Sequence, residues 1–404
     1  MVRSMKLRYL IATAILLAGS PAWAAEVSLT DALSQGAQNS PRVAQARAQA
    51  QAAEARARQA GASPNPEISL EVENFAGTGP YRDTRSAETT LALSQRIELG
   101  GKRSARIEVA GAERDFALVA LKRAEADLAR DIRIAFAELR AAEDRAVLAR
   151  DNVRQAEELA RSAGLFVEVG RDPPLRKLRA DALLADAKAE QARTFGELLA
   201  ARRLLADLIG TSDPELSANV DGDDTRPALL PPETPSLDEQ LAAAERDAAR
   251  ARIRVAKAVG VPDVTASGGV RRINDGRETA FVAGFSIPLP IRDRNRGNIE
   301  AASADSLAAE AALSQTRLDA RRAQHDARML LGAAEERVAA LSGPALTQAE
   351  EALRLAQVGY AAGKFSLIEL IDAQAALTAT RKSLIDARLD RARALAALIR
   401  ANAQ

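Results

Sequence analysis

The chain has 404 residues, of which 27% are charged and only 3% are aromatic. Its 56 Lys and Arg residues are interleaved with 55 Asp and Glu residues, so no basic cluster points to a nucleic-acid partner. There is no cysteine and one histidine, His325, which excludes a Cys-His dyad and a multi-histidine metal site within one chain. We therefore expect no catalysis and no cofactor, and interpret His325 as an ordinary residue of a long helix.

The first 24 residues have the three parts of a secretory signal peptide. Arg3, Lys6 and Arg8 form the basic start, residues 9–19 the apolar run, and Ala22-Trp23-Ala24 the cleavage site. About 11 apolar residues are too few for an anchor helix, and no later segment reaches about 18 uninterrupted apolar residues. The sequence therefore predicts an exported chain without a transmembrane helix.

A helix and two strands are predicted to follow. Ser28 is typical of a helix cap, and the helical pattern over residues 29–60 is broken at Pro41. After residue 66 the hydrophobic period changes from 3.6 to 2. Apolar and polar residues alternate over residues 67–73 and again over residues 90–99, which indicates two strands.

A long helical hairpin is predicted over residues 102–208. Its first arm contains no proline as far as residue 162, and apolar and small residues recur along it at steps of three, four and seven. The turn is predicted at Gly170-Arg-Asp-Pro-Pro174. An arm of about 60 residues is a rod of roughly 90 Å, so it must be a stalk, a coiled coil or the wall of a tube.

The same order of elements then repeats, which predicts two structural repeats. Gly343-Pro344 should kink the second long helix. The predicted division is a signal peptide (1–24), a first repeat (25–226), a linker (227–235) and a second repeat (236–404). Within the second repeat we expect a helix at 236–259, strands at 262–272 and 279–289, a long helix at 295–357, a turn at 359–364 and a returning helix at 366–400.

The four predicted strands each have one apolar face and a length of about ten residues, as outer-membrane barrel strands do. The alternative is a small soluble sheet packed on the helices. Four strands cannot close a barrel, and open sheet edges are not tolerated in lipid. Two copies would give eight strands, a barrel filled by its own side chains, and three would give twelve. If the strands span a membrane, a homotrimer is the smallest conducting assembly.

Three segments carry a family resemblance. Residues 93–103 (LSQRIELGGKR) and 287–297 (IPLPIRDRNRG) resemble the barrel-to-helix junctions of the CzcC-like, cobalt–zinc–cadmium branch of the outer membrane factor family, the TolC-like exit ducts of tripartite efflux systems. Residues 360–374 (YAAGKFSLIELIDAQ) resemble the periplasmic tip of the second hairpin in the family at large. The resemblance covers residues 29–400. One departure is that some relatives carry a lipidated N-terminal cysteine, which this chain lacks.

The resemblance implies a mainly α-helical fold with a trimeric, twelve-stranded β-barrel in the outer membrane of a Gram-negative bacterium. A long α-helical barrel would reach into the periplasm. The implied partners are outer-membrane lipid, a periplasmic adaptor protein and an inner-membrane pump of the RND type. The implied cargo is a divalent heavy-metal cation such as cobalt, zinc or cadmium, with drugs or other organic compounds as the alternative.

Two other functions compete with an exit duct. A periplasmic adaptor also has a long hairpin, but typically one, flanked by lipoyl-like β halves that this sequence does not contain. A structural coiled-coil protein would explain the helical periodicity but would give no purpose to the paired strands and the duplication.

The polar faces of the strands are the candidate barrel lumen. If Ile68, Leu70 and Val72 face lipid, the alternating acidic residues face the water-filled interior and should favour cations; purely polar lumen faces are the alternative. The predicted lumen residues are Glu67, Glu71, Glu73, Glu98, Asp263, Arg96 and Arg271.

The hairpin tips are the candidate periplasmic gate. Aligning Gly170 with Gly363 places Arg176 opposite Glu369 and Arg179 opposite Asp372. The family resemblance places constricting acidic residues at Glu369 and Asp372, which the basic residues of adjacent hairpins would latch. Solvated surface charges are the alternative reading. The remaining predicted gate residues, beside the second turn, are Tyr360 and Lys364.

Overall fold

The structure is a computed structural model that describes residues 26–213, 215–219 and 235–403. The predicted signal peptide and residues 227–234 of the predicted linker lie outside these ranges. The described chain is mainly helical, with short strands, as predicted. No helix within it is long and apolar enough to cross a membrane.

The first half of the chain has the predicted order of elements. The Ser28 hydroxyl accepts a hydrogen bond from the Asp31 amide at 3.1 Å, which begins the first helix, and Pro41 begins the next. The elements are β1 (Glu26–Val27), α1 (Leu29–Asn39), α2 (Pro41–Ala60), β2 (Glu67–Glu73), β3 (Glu88–Ile97), α3 (Lys102–Glu168), α4 (Pro174–Ile209) and β4 (Ser217–Ala218).

The second half repeats this order. The elements are α5 (Leu237–Val259), β5 (Val264–Ile273), β6 (Glu278–Ser286), α6 (Arg296–Ala340), α7 (Leu346–Ala361) and α8 (Leu367–Ala401). A π-helical turn, Leu341–Ala345, separates α6 from α7 and contains Pro344. Because proline has no N–H to donate, the regular ladder of hydrogen bonds cannot continue through it. The interruption predicted at Gly343-Pro344 is therefore this turn.

The four long strands form one antiparallel sheet in the order β2-β3-β5-β6. Its central pairing joins the two halves of the chain, because β3 of the first half pairs with β5 of the second from Glu88↔Ile273 to Ile97↔Val264. The outer strands β2 and β6 each have one neighbour within the described residues.

The helices pack side by side along α3. This helix contacts α2 and α4 of its own half and α5 and α8 of the second half, and α6 packs on α5 and α8. The largest continuous core lies where α3 meets α1 and α4. Alanine fills many other buried positions, so neighbouring helices can approach closely. The fully buried side chains of the core between α3, α1 and α4 include Val43, Ile132, Leu139, Leu205 and Ile209.

A second, two-stranded sheet was not predicted. β1 and β4 pair in parallel, with Glu26 opposite Ser217, and tie the start of the described chain to the segment after α4. Strands of two residues have no alternating pattern, and these two are far apart in the sequence. Periodicity therefore could not reveal them.

Candidate functional site: sheet faces, junction and hairpin tips

One face of the four-stranded sheet is apolar. The register aligns Leu70, Leu91, Val270 and Phe281 in one row across all four strands. Paired residues project from the same face, and the Phe281 side chain is 91% exposed in the single chain. This face therefore presents apolar side chains outward, as the alternation predicted. Its other large apolar members are Ile68, Val72, Leu93, Ile97 and Phe285.

The opposite face is charged and predominantly acidic. The neighbouring row consists of Glu71, Thr90, Arg271 and Ala280. The five predicted lumen residues that belong to strands all lie on this face, and Glu88 and Glu278 join them. Five carboxylates and two guanidinium groups give the face a net negative charge. Its charged members are Glu67, Glu71, Glu73, Glu88, Glu278, Arg96 and Arg271.

Arg271 neutralises part of this charge. Its guanidinium lies 2.9 Å from Glu88 and 3.1 Å from Glu73, and its Nε donates to the Thr90 hydroxyl at 3.0 Å. The donors of one guanidinium thus hold three strands together at one end of the sheet. Glu67 and Glu71, further along, have no ion pair within the described part of the chain.

Glu98 and Asp263, also predicted in the lumen, lie at the junction between the sheet and the long helices. The Arg106 guanidinium donates to the Glu98 carboxylate at 3.0 Å. Asp263 accepts hydrogen bonds from the Lys102 ammonium at 2.6 Å and from the Leu99 amide at 3.2 Å. In the single chain these two carboxylates bind the first turns of α3, and their exposure to a lumen stays a prediction.

Gly100 lets the chain turn from β3 into α3. Its φ of +68° lies in the left-handed region, and a Cβ at this position would lie 2.5 Å from the Val261 Cβ. A side chain here would meet both backbone strain and a clash. Gly101, with a φ of +72°, completes the turn.

The two hairpin tips have the same backbone geometry. In the first, the amides of Arg171 and Asp172 donate to the Phe166 carbonyl at 2.9 and 3.2 Å. In the second, the amides of Lys364 and Phe365 donate to the Gly359 carbonyl at 2.8 and 3.2 Å. Both turns also contain a glycine with φ near +70°; these are Gly170 and Gly363, as the alignment of the two predicted turns required.

The tips pack against each other within one chain. The Phe166 and Tyr360 rings meet edge to face with centroids 6.5 Å apart, and the Arg171 guanidinium lies 5.3 Å from the Phe166 centroid. A shared apolar cluster continues above the rings. Its buried members are Leu159, Ala163, Ala180, Leu353, Ala356, Leu367, Leu370 and Leu377.

The Tyr360 hydroxyl is buried between the tips and has no hydrogen-bond partner among the described residues. Burial raises the pKa of this phenol, and the charge of Asp172 raises it further, while Arg176 opposes both. A buried hydroxyl without a partner is costly. The two tips therefore enclose an unused donor beside an acidic and a basic side chain.

The predicted gate residues have local partners or none. Arg176 pairs with Asp172 in its own hairpin. Glu369 caps α8, because its carboxylate accepts the Ser366 amide at 2.6 Å. Arg179, Lys364 and Asp372 are exposed and have no ion pair within residues 26–213, 215–219 and 235–403. The structure of one chain does not bring the basic and acidic sets together, so the latch between adjacent hairpins stays a prediction.

Several residues of these sites escaped the sequence analysis, among them Glu88, Glu278, Asp172 and Phe166. Glu88 was missed because the predicted strand began at Thr90, whereas β3 begins at Glu88. Asp172 lies in the turn before α4, four residues ahead of Arg176, and an acid and a base at this spacing favour a local ion pair that could have identified it. No sequence pattern singled out Phe166.

An ionic cluster around the buried Arg400 joins α2, α3, α5 and α8. The Arg400 side chain is only 9% exposed, pairs with Asp127, and lies 3.0 Å from Asp238. Arg123 reaches Asp238 at 2.8 Å, and Arg42 reaches Asp127 at 3.2 Å. The carboxylates outweigh the cost of burial and raise the pKa of Arg400, so its charge is fixed.

Glu143 on α3 is half-buried beneath the small β1–β4 sheet. Burial raises the pKa of its carboxyl, and hydrogen bonds from Ser217 and Ala218 only partly offset that rise. The nearby Arg202 has a buried Nε without a hydrogen-bond partner among the described residues.

His325 is exposed on α6. In the part of the chain that the structure describes, no group of three or more His, Cys, Asp or Glu side chains could hold a metal ion.

The amino-acid sequence matches one protein family and several of its members. The family described as "Outer membrane efflux protein" matches residues 32–211 and 235–404. The chain is 32% identical to the cobalt-zinc-cadmium resistance protein CzcC of Cupriavidus metallidurans, over 74% of this chain and 73% of that protein. It is also 35% identical to the nickel and cobalt resistance protein CnrC of the same organism, over 59% of this chain and 58% of that protein.

Several solved structures have the same fold as this chain. A membrane protein from Pseudomonas aeruginosa matches with a TM-score of 0.79 at 24% identity, covering 92% of this chain and 93% of that one. CusC, described as forming a transmembrane channel, matches with a TM-score of 0.79 at 21% identity, covering 94% and 92%. At these identities the likeness concerns the fold alone.

Proposed function

The chain belongs to the outer membrane efflux protein family, and we propose that it is the exit duct through which divalent heavy-metal cations leave the cell. It is an outer membrane efflux channel of the tripartite kind, with a helical extension into the periplasm of a Gram-negative bacterium. Channels of this family form trimers in such systems.

The proposed cargo rests on one observation. The relative that matches over 74% of this chain is named for resistance to cobalt, zinc and cadmium. Two further relatives, at 32% and 35% identity, are named for resistance to nickel, cobalt and cadmium and to nickel and cobalt. A passive duct has little selectivity of its own, so the proposed adaptor and RND-type pump would choose the ion.

The proposed lumen is the charged face of the sheet. If three copies close a barrel with the apolar face towards lipid, Glu67 and Glu71 form acidic rings in the interior. Carboxylate rings raise the local concentration of cations. The negative balance of this face, even with Arg271 included, supports the proposal.

The proposed gate is the ring of hairpin tips. Glu369 and Asp372 are exposed on the first turns of α8, and Arg179 is exposed on the corresponding part of α4. In a trimer these groups would meet between adjacent hairpins. Exposed pairs contribute only about 0–1 kcal/mol each, so three copies of each would be needed to hold the tip closed against docking of the adaptor.

Growth in metal salts tests the cargo. Deleting the gene should lower tolerance to cobalt, zinc and cadmium by more than it lowers tolerance to dyes and detergents, and the wild-type gene should restore it. A strain sensitised only to organic compounds would indicate a drug-efflux duct. Membrane fractions from the strain that carries the restored gene should contain the protein in the outer membrane as a heat-sensitive oligomer.

A further inference from the structure

The chain passes from the sheet to the long helices at two equivalent places. The first junction, residues 95–106, runs from the end of β3 into α3, and the second junction, residues 287–298, runs from the end of β6 into α6. Ser94 and Ser286 hold equivalent positions near the ends of their strands, so Lys102 of the first junction corresponds to Arg294 of the second. The charges of the two junctions can therefore be compared position by position.

The bases that begin α3 in the first junction have partners within the chain. The Lys102 ammonium donates to Asp263 at 2.6 Å, and the Arg106 guanidinium donates to Glu98 at 3.0 Å. The Nε of Arg103 donates to a backbone carbonyl at 2.7 Å. The first junction thus uses its basic groups to hold the sheet and the helix together.

The bases of the second junction have no such partners. Arg292, Arg294 and Arg296 are exposed and have no ion pair in the part of the chain that the structure describes. The Nε of Arg294 donates only to a backbone carbonyl four residues earlier, at 3.4 Å. The carboxylate among them, Asp293, accepts a hydrogen bond from the Asn295 amide at 2.8 Å. Three guanidinium groups against one carboxylate leave this junction positively charged.

The end of α5 holds the second junction in place and adds a fourth base. The Asn295 side-chain amide donates to the Ala256 carbonyl at 2.6 Å. Lys257, the next residue of α5, is exposed and has no ion pair among the described residues. Glu300, one turn into α6, is also exposed. With Lys257 and Glu300 both included, the balance of this region stays positive.

Exposed apolar side chains adjoin these bases. Phe281 and Phe285 lie on the apolar face of β6. Ile287, Leu289 and Ile291 continue the same alternation along the chain, and the last two are 74% and 75% exposed in the single chain. The apolar face of the sheet therefore continues directly into the basic part of the second junction.

The second junction lies at the periplasmic end of the sheet. All four long strands lead to helices at this end, whereas the β2–β3 and β5–β6 connections lie at the other end. The helices extend into the periplasm. If the apolar face is turned towards lipid, the basic part of the second junction is level with the headgroups of the periplasmic leaflet. That leaflet of an outer membrane consists of phospholipids.

We infer that the second junction binds anionic phospholipids of the periplasmic leaflet, with Arg292, Arg294 and Arg296 on the phosphate groups. Leu289 and Ile291 would contact the acyl chains. This inference rests on the lipid-facing apolar face of the proposed function. Guanidinium groups pair with phosphate through two parallel hydrogen bonds, and clusters of bases beside a membrane attract anionic lipids.

The charge of the second junction favours one class of phospholipid. Phosphatidylglycerol has a net negative headgroup, whereas the cationic group of phosphatidylcholine would meet the same arginines and be repelled. The first junction offers no equivalent site, because Lys102 and Arg106 are already paired with carboxylates. Each chain therefore has one such site, which fixes the depth of the sheet in the membrane beside α6.

Native mass spectrometry of the purified protein in detergent tests the site. Phosphatidylglycerol and phosphatidylcholine with the same acyl chains are added in equal amounts, and the lipid retained by the protein is counted. The wild type should retain several-fold more phosphatidylglycerol. Replacing all three arginines (Arg292→Gln, Arg294→Gln and Arg296→Gln) should abolish most of that preference. Raising the salt concentration should lower the preference of the wild type itself, which requires no variant to fold.

The matched control removes the same number of charges from the same helix. Arg317, Arg321 and Arg328 are exposed on α6, and the nearest of them is 21 residues beyond Arg296, about 30 Å along the helix. Their replacement by Gln should leave the preference for phosphatidylglycerol unchanged. Equimolar inorganic phosphate should not displace the lipid, because it lacks the acyl chains that the apolar residues contact.

Four outcomes would overturn the inference. Equal retention of the two lipids by the wild type removes the site and leaves the proposed duct intact. An equal loss in both triple variants shows attraction by net charge alone, and displacement by inorganic phosphate shows a site for free anions. A wild-type protein that is absent from the outer membrane overturns the proposed duct, and with it the lipid site.

Discussion

The Arg271 guanidinium lies 2.9 Å from the Glu88 carboxylate, across the two strands that join the halves of the sheet. It is one of two basic groups on the charged face. Arg271→Gln should therefore make that face more acidic and shift the reversal potential of reconstituted channels towards greater cation preference. Single-channel recording in a salt gradient measures the shift.

Arg272→Gln is the matched control for this prediction. Arg272 is the next residue along β5 and lies on the opposite face of the sheet, in the row of Val72 and Thr89. Its replacement should leave ion preference unchanged. A wild-type channel that prefers anions would rule out the acidic lumen.

Reversing the basic gate residues tests the tip latch. Arg176→Glu with Arg179→Glu should raise single-channel conductance, because acidic and basic groups of adjacent hairpins would no longer attract. Adding Glu369→Arg and Asp372→Arg should restore closure. Unchanged conductance in the first variant would mean that these are ordinary surface charges.

The Arg176–Asp172 pair requires a separate control in that experiment. Arg176→Glu removes this local pair as well as any contact between hairpins. Asp172→Asn alone removes only the local pair, and we expect little change in conductance from it. If Asp172→Asn opens the channel as far as the double reversal, the turn itself and not the latch holds the tip closed.

The sequence predicted the elements of these sites better than the partners of their side chains. The alternation of Glu67 to Glu73 gave the bounds of β2 and its two faces, because a strand has a side-chain period of two. The period also predicted which strand residues share the charged face. The period gave no information on which hydrogen-bond donors contact these residues.

Partners were missed where the chain folds back on itself. Glu98 lies just beyond the end of β3, and its pairing with Arg106 depends on how the glycine turn aims α3. Glu369 was predicted as a gate residue, but Ser366 stands three residues before it, and that spacing is typical of a capping box. Local chemistry of this kind competes with the longer-range pairing that the alignment of the hairpins suggested.

Replacing Gly100 tests the junction between sheet and helix. Gly100→Ala adds a Cβ 2.5 Å from the Val261 Cβ at a φ of +68°. We therefore expect the folded protein to lose about 1–3 kcal/mol of stability. The matched control is Gly332→Ala within α6, where nothing lies within 4 Å of the added carbon. That change should stabilise by about 0.5–1 kcal/mol, as helix propensity dictates. Thermal dissociation of the purified oligomer compares the two, and equal behaviour would contradict the close approach.

Glu143 should make stability depend on pH. Its pKa is raised by burial in the folded protein, so the folded state favours the protonated carboxyl. That contribution is fully present below 4.5, the ordinary value, and is lost as the pH rises through the raised folded pKa. Glu143→Gln keeps an oxygen acceptor for Ser217 but cannot ionise.

The measured quantity is the difference in melting temperature between the wild type and Glu143→Gln. From below pH 4.5 upwards, the melting temperature of the wild type should fall relative to that of Glu143→Gln. Glu336→Gln, at an exposed position on α6, is the control and should follow the wild type. A constant difference across this window would show that folding does not shift the Glu143 carboxyl.

Metal retention in whole cells tests the proposed cargo most directly. Cells lacking the gene, and the same cells carrying the wild-type gene on a plasmid, would be loaded with zinc, cobalt or cadmium and transferred to metal-free medium. Elemental analysis over time then measures the metal that remains. If the chain is a heavy-metal duct, the deletion strain should retain more metal and the plasmid should restore its loss. Equal retention in the two strains would contradict export of these cations through this channel.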